Sequence, residues 1–289
     1  MRIAKSLAAF VVLAFVFGAR SGEATDANAL RVAWLTDEAA AQAASADAAL
    51  AAAESQMQDA TEEARRGQAA VLEGDDDPTL PLEAAGVGFE AAATPFGQAD
   101  VELAQLGWTL RAIDPQATRP TLDIGPADVA AIGEQWRAAA PTCSILANLR
   151  RQAEASLGAL DDALAALDAD DPAAALNAAD AAAAYVNRVR DFTDSLATLG
   201  FWVDTVDALI EAARDIALAA QAGDAASLAE AQIRYGAAAA DAGRADQALT
   251  IALGEAAAQA TGPASSSSAA ALRAVASARD QLAGMSILR

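Results

Sequence analysis

The sequence predicts an all-α protein, an elongated antiparallel helical bundle with a Pro-rich irregular insertion. Three observations predict it. Alanine, the residue of highest helix propensity, supplies 88 of the 289 residues, while only 13 are aromatic. Aliphatic side chains recur at alternating steps of three and four, the 3.5-residue period of helices packed along a seam. Between those runs stand short Asp-Pro and Gly-Asp stops, which end one helix and start the next and so make neighbours antiparallel.

Residues 1–24 read as an export signal. Arg2 and Lys5 precede an apolar run over residues 7–19, shorter than the roughly 20 residues a membrane-spanning helix needs. Gly22-Glu23-Ala24 and Ala19-Arg20-Ser21 offer small-residue cleavage positions, with an uncleaved anchor as the alternative. No later stretch is apolar enough to span, since 199–222 is interrupted by Asp204, Asp207, Glu211 and Asp215. The expected location is therefore extracytoplasmic: secreted, periplasmic or cell-surface. Loss of residues 1–24 leaves 16 arginines against 39 acidic residues, a net charge of −23. Such a surface repels nucleic acid, anionic lipid and other acidic chains. A saline habitat and a high-GC genome would both favour this composition.

The chain has no histidine, its only lysine is Lys5, and Cys143 has no second cysteine to pair with. Ser-His-Asp and Cys-His chemistry, Schiff bases, Walker A loops, c-type haem and Cys/His zinc sites are thereby excluded. Cys143 reads as a small buried residue near a helix start. The acidic clusters Asp75-Asp76-Asp77 and Asp168–Asp171 lack the alternating ligands and central glycine of an EF-hand loop. Gly86-Val87-Gly88-Phe89-Glu90-Ala91 matches a dinucleotide fingerprint in letters only, without the strand that gives it meaning. No catalytic, cofactor-binding or metal-ligating residue is assigned, and no cofactor is expected.

After the signal, residues 25–72 are read as the long N-terminal helix, regular over 36–72 with Thr36 as N-cap. Its seam is Ala43, Ala46, Leu50, Ala53, Met57, Ala60, Ala64, Gly67 and Val71. Residues 73–125 hold five of the nine prolines and are read as irregular, with one short helix over 100–113 carrying Leu103, Leu106 and Leu110. A binding surface is expected in or beside this segment. Residues 126–289 are read as an antiparallel bundle that packs with 36–72 into one domain. Its helices are placed at 126–140, 142–168, 172–199, 201–222, 225–260 and 267–287. Asp171 and Asp224 serve as N-caps, Gly200 and Gly223 as C-terminal glycines, and Gly262-Pro263 as a turn. The helix from Ala225 carries a second small-residue seam: Leu228, Ala231, Tyr235, Ala238, Ala242, Ala245, Leu249, Ala252 and Ala256. Bulky partners stand at Leu146–Leu167 and Val186–Leu199. Residues 162–180 overlay 215–233 at an offset of 53, a hint of internal duplication.

Trp108 with Arg111, and Trp136 with Arg137, are the candidate ligand or partner contacts, because an aromatic ring beside a guanidinium suits an anionic or planar group. Their alternative role is to close the end of a core. The pairs Arg151–Glu154 and Arg190–Asp194 account for other arginines. The expected function is an exported, non-enzymatic bundle protein with a structural or protein-interaction role, its partner another protein or itself. The alternatives are a small-ligand-binding module and a membrane-tethered sensor ectodomain.

Overall fold

Alanine-rich runs with few effective stops give long helices. The computed structural model describes residues 23–74, 76–192, 196 and 199–285; among them stand six helices and no strand, with 90% of the residues helical. The helices are α1 (Glu23–Glu73), α2 (Thr79–Ile113), α3 (Pro126–Asp168), α4 (Pro172–Arg190), α5 (Leu199–Ala222) and α6 (Ala225–Ala283). The all-α class stands. The expected signal falls outside the described residues apart from Glu23 and Ala24, which open α1. No helix of the described residues is long and apolar enough to cross a membrane.

The described residues group into two compact units. One draws on Met1–Gln58, Phe89–Ala131 and Ser268–Arg289, the other on Asp59–Gly88 and Ile132–Ser267. In the first unit, α1 and α6 run antiparallel, tied by Arg279 to Asp47 and Glu54, and Thr109 of α2 donates to Gln42 of α1. In the second, the Gln68 amide donates to Thr261 of α6, and Arg150 of α3 reaches Asp246 of α6. Helices α4 and α5 pair there as an antiparallel hairpin, joined by Arg214–Asp180 and Arg190–Asp207.

Several helix boundaries differ from the expected ones, each for a physical reason. Helix α1 begins at Glu23, because no glycine or proline stands between there and Thr36. Thr36 is no N-cap; its hydroxyl donates back to the Val32 carbonyl. Among the described residues the irregular segment shrinks to 74, 76–78 and 114–125, since α2 covers most of it. Pro81 lies in the first turn of α2, where a backbone N–H has no helical partner anyway. Pro95, Pro141 and Pro263 lie inside α2, α3 and α6. None of the three is buried. An interior proline costs about 3 kcal/mol, and the helices continue because the buried stripe stays in register on both sides of it. Thus 126–140 and 142–168 form one helix, as do 225–260 and 267–283. Helix α4 stops at Arg190, with Asp191 as its C-cap, and Gly200 lies within α5 rather than ending a helix.

The seams are where packing is tightest. All nine expected α1 positions are buried. Helix α2 carries an equally strict stripe, from Leu82 and Ala85 in the second unit to Phe89, Ala92, Phe96, Ala99, Leu103, Leu106 and Leu110 in the first, all buried. Within the second unit a methyl on Gly88 of α2 would fall 2.7 Å from the Ala60 Cβ of α1. On α6 the expected stripe is buried at Ala231, Ala245, Leu249 and Ala252, but Leu228, Tyr235, Ala238, Ala242 and Ala256 are half-buried. The buried line there steps from Leu253 to Ala257 and Thr261 before resuming at Ala264, Ser268, Ala271, Val275, Ala278 and Leu282. Two successive steps of four are an insertion into the heptad, which rotates the buried face around the helix.

The two turns at an offset of 53 share one geometry. Asp170 (φ 58°) and Gly223 (φ 67°) occupy the left-handed region. Asp171 N–H donates to the Ala166 carbonyl, and Asp224 N–H to Ala219, the six-residue closure of a Schellman motif. Each Asp then caps the next helix: Asp171 accepts from Ala174 N–H, and Asp224 from Ala226 and Ser227 N–H. Hydrogen bonds from Ser227 hold the Asp224 carboxyl below the usual carboxylate range. Its contribution to the turn is therefore present at neutral pH and lost as the pH falls through that lowered pKa.

Close approach predicts opposite outcomes for one substitution at two glycines. Gly236, in the middle of α6, has open space around it, so Gly236→Ala should stabilise by about 0.5–1 kcal/mol through helix propensity. Gly88→Ala should instead destabilise by about 1–3 kcal/mol, because two methyl groups cannot share 2.7 Å. Urea titrations monitored by circular dichroism measure both.

Candidate functional site

The four candidate contacts fall in different surroundings. Trp136 sits on the α3 stripe Val129, Ile132, Trp136, Ala140, Cys143 and, at 2% exposed, is buried in the core. Arg137 beside it lies over α2, where a Cβ on Gly86 would come within 2.8 Å of its Cγ. The Gly86–Ala91 segment is helical throughout, so its resemblance to a dinucleotide loop ends there. Trp108 is 73% exposed in the first unit, with Arg111 exposed one turn on. The first pair thus lies on a surface, and the second closes a core.

Cys143, Asp77, Asp170 and Asp171 are engaged in structure. Cys143 is fully buried, and burial pushes its thiol up to about 11, where almost no thiolate forms at neutral pH. Asp77 accepts from Thr79 N–H at the start of α2 and from the Ser144 hydroxyl, which holds its carboxyl below the usual range. Asp171 is a helix cap, and Asp170 forms the left-handed turn before it. Among the described residues no group of three or more Asp, Glu or Cys side chains is placed to hold a metal ion.

An open groove lies between α6 and a neighbouring helix in each unit. In the first, about 560 Å³ is lined by Ala43, Asp47, Glu54, Ala276, Arg279 and Asp280 among others. Arg279 bridges its floor, Nε to Asp47 at 2.9 Å and an Nη to Glu54 at 2.7 Å, and both carboxylates raise its pKa further. A guanidinium so occupied has little capacity left for an anion. In the second, about 360 Å³ is lined by Glu211, Arg234 and Asp241 with small alanines, and Arg234 pairs with Asp215 at 2.9 Å. Arg150, rather than Arg151, takes Glu154, at 2.6 Å, and also reaches Asp246 at 3.0 Å. Arg190 pairs with Asp207; Asp194 lies outside the described residues.

The most unusual surface is the outward face of α2 in the first unit. Ala91, Thr94, Gln98, Val101, Gln105, Trp108 and Ala112 follow steps of three and four, and all seven are exposed. None is charged, in a chain where 20% of residues are. Glu90 and Arg111 flank this stripe along one edge, and Pro95 and Glu102 along the other. The expectation of a binding surface near Trp108 and Arg111 did not extend to this stripe, although its period is present in the letters.

No protein-family model, curated protein or solved structure matches the chain.

Burial separates the two candidate tryptophans by experiment. Trp136→Ala should cost about 3–5 kcal/mol, as for an aromatic removed from a packed core. Trp108→Ala should stay within about 0.5 kcal/mol of the parent, as for an exposed surface residue. Thermal and chemical denaturation of both variants check the contrast.

Proposed function

We propose that this is an exported, non-enzymatic protein whose helices, packed in the manner of coiled coils, serve a structural or protein-interaction role outside the cytosol. The basic N-terminal flank and apolar run of residues 1–24 support export. The acidic composition, net charge −21, suits a protein that stays dissolved and avoids nucleic acid and anionic lipid. The observation that carries the interaction role is the contrast on the surface. Several charged side chains are spent on caps and ion pairs, whereas large apolar side chains, including Leu30, Trp34, Val101 and Trp108, are exposed. Exposed large side chains aligned on one helix face suit another helix better than a small molecule, which needs an enclosing cavity.

The test uses the protein recovered from host-cell fractions. It is expected outside the cytoplasm, beginning near Thr25, with a melting temperature that a broad metabolite panel leaves unchanged. A metabolite at 100 times its dissociation constant would add about 2.7 kcal/mol, several degrees of shift in a domain of this size. Such a shift would favour a ligand-binding module, and retention in the cytoplasm would contradict export.

A further inference from the structure

We infer that residues Ala225–Arg244 of α6 form a strap in the second unit that unwinds and recloses as one piece while α3, α4, α5 and the rest of α6 stay folded, opening the side of α5 that it covers. Such a strap works within one chain and stands apart from the interaction role proposed above.

Burial divides α6 at Arg244. Of the twenty residues 225–244 only Ala231 is buried, and Ile233 is 74% exposed. Immediately beyond, Ala245, Leu249, Ala252 and Leu253 are buried, and Arg150 of α3 holds Asp246 at 3.0 Å. On the other side of the Gly223–Asp224 turn, α5 buries twelve of its 24 residues. Packing of a buried face supplies most of a helix's stability in a folded protein, so the strap is the weakly supported stretch between two well-packed ones.

Its residues weaken it further. Gly236 and Gly243 lie inside the helix, where glycine gives up more backbone freedom than alanine. A Cβ at either would meet nothing within 4 Å, so close packing does not account for them. Between the strap and α5 runs the groove of about 360 Å³, bounded by Ala208, Glu211 and Ala212 on α5 and by Arg234, Ala237 and Asp241 on the strap. Ala231 and half-buried side chains, Leu228 and Tyr235 the largest, hold the strap shut together with the Arg234–Asp215 ion pair at 2.9 Å. Both partners of that pair are exposed, and exposed pairs stabilise weakly.

The two ends decide how it opens. At one, the left-handed turn at Gly223 ties the strap to α5; at the other, the helix runs on into Ala245 and is pinned to α3 through Asp246. A segment fixed at both ends cannot swing away as a rod. It releases by unwinding, and because helix formation is cooperative its turns are lost together. Local opening of this kind is drawn from the least stable part of a fold. Release uncovers Ala208 and Ala212 and parts Asp215 from Arg234.

Hydrogen exchange of the full chain at neutral pH, followed by mass spectrometry, tests this. Peptides within 228–242 are expected to share one protection factor, about 100-fold below that of α5 peptides within 202–217. Gly236→Ala combined with Gly243→Ala should slow exchange across the whole strap about twentyfold, through the higher helix propensity of two alanines. Strap protection equal to that of α5 would overturn the inference, and so would none at all, since a strap has to close. Protection climbing steadily from Asp224 toward Arg244 would also overturn it, because that is an end fraying and not a unit opening. Slowing confined to the turns beside the two alanines would have the same consequence.

Discussion

Alanine buries little, and that constraint organises the rest of the molecule. A methyl group removed from water contributes a fraction of the 1.5–3 kcal/mol or so that a leucine does. A core in which alanine fills most seam positions must therefore hold its helices close and in register over many turns. The second unit does this where α1 meets α2, with Gly88 against Ala60 and Gly67 against the Leu82 side chain. The larger side chains, Leu50, Met57, Phe89, Phe96, Trp136 and Trp202, are few and fully enclosed. Small residues set the separation, and large ones supply the buried area.

Charge follows the same division of labour. Arginine replaces lysine after Lys5, and its planar fork lets one side chain bridge two carboxylates on a neighbouring helix, as Arg279 does with Asp47 and Glu54. Exposed pairs of this kind contribute about 0–1 kcal/mol each, so they align helices more than they stabilise them. In an acidic chain, spending basic groups this way leaves little positive surface. It also makes the uncharged face of α2 formed by Ala91, Thr94, Gln98, Val101, Gln105, Trp108 and Ala112 stand out.

Fold class, the α1 seam and the two Asp-capped turns were legible in the sequence because local chemistry sets them: period, cap and a residue able to take positive φ. The prolines misled for a reason equally local. Pro95, Pro141 and Pro263 are strong stop signals by residue type, yet each faces away from the core within a stripe that runs on in register. Following Leu82, Ala85, Phe89, Ala92 and Phe96 through the proline would have revealed α2. The step of four at Leu253–Ala257 is harder to see, since alanine at almost every neighbouring position lets several registers fit. The two Trp-Arg pairs look alike as letters, and register separates them. Trp136 continues the buried line from Val129 and Ile132, whereas Trp108 lies two residues beyond Leu106 and faces outward.

Seam alanines occupy space with no room to spare. Ala53, on α1 in the first unit, is wholly buried and has the helix propensity to tolerate replacement by leucine. Equilibrium unfolding of Ala53→Leu is the most direct measurement. Tight seams predict a loss of about 1–3 kcal/mol despite the added apolar surface. Unchanged or greater stability, with helicity intact, would mean that the helices stand too far apart for alanine to set their separation.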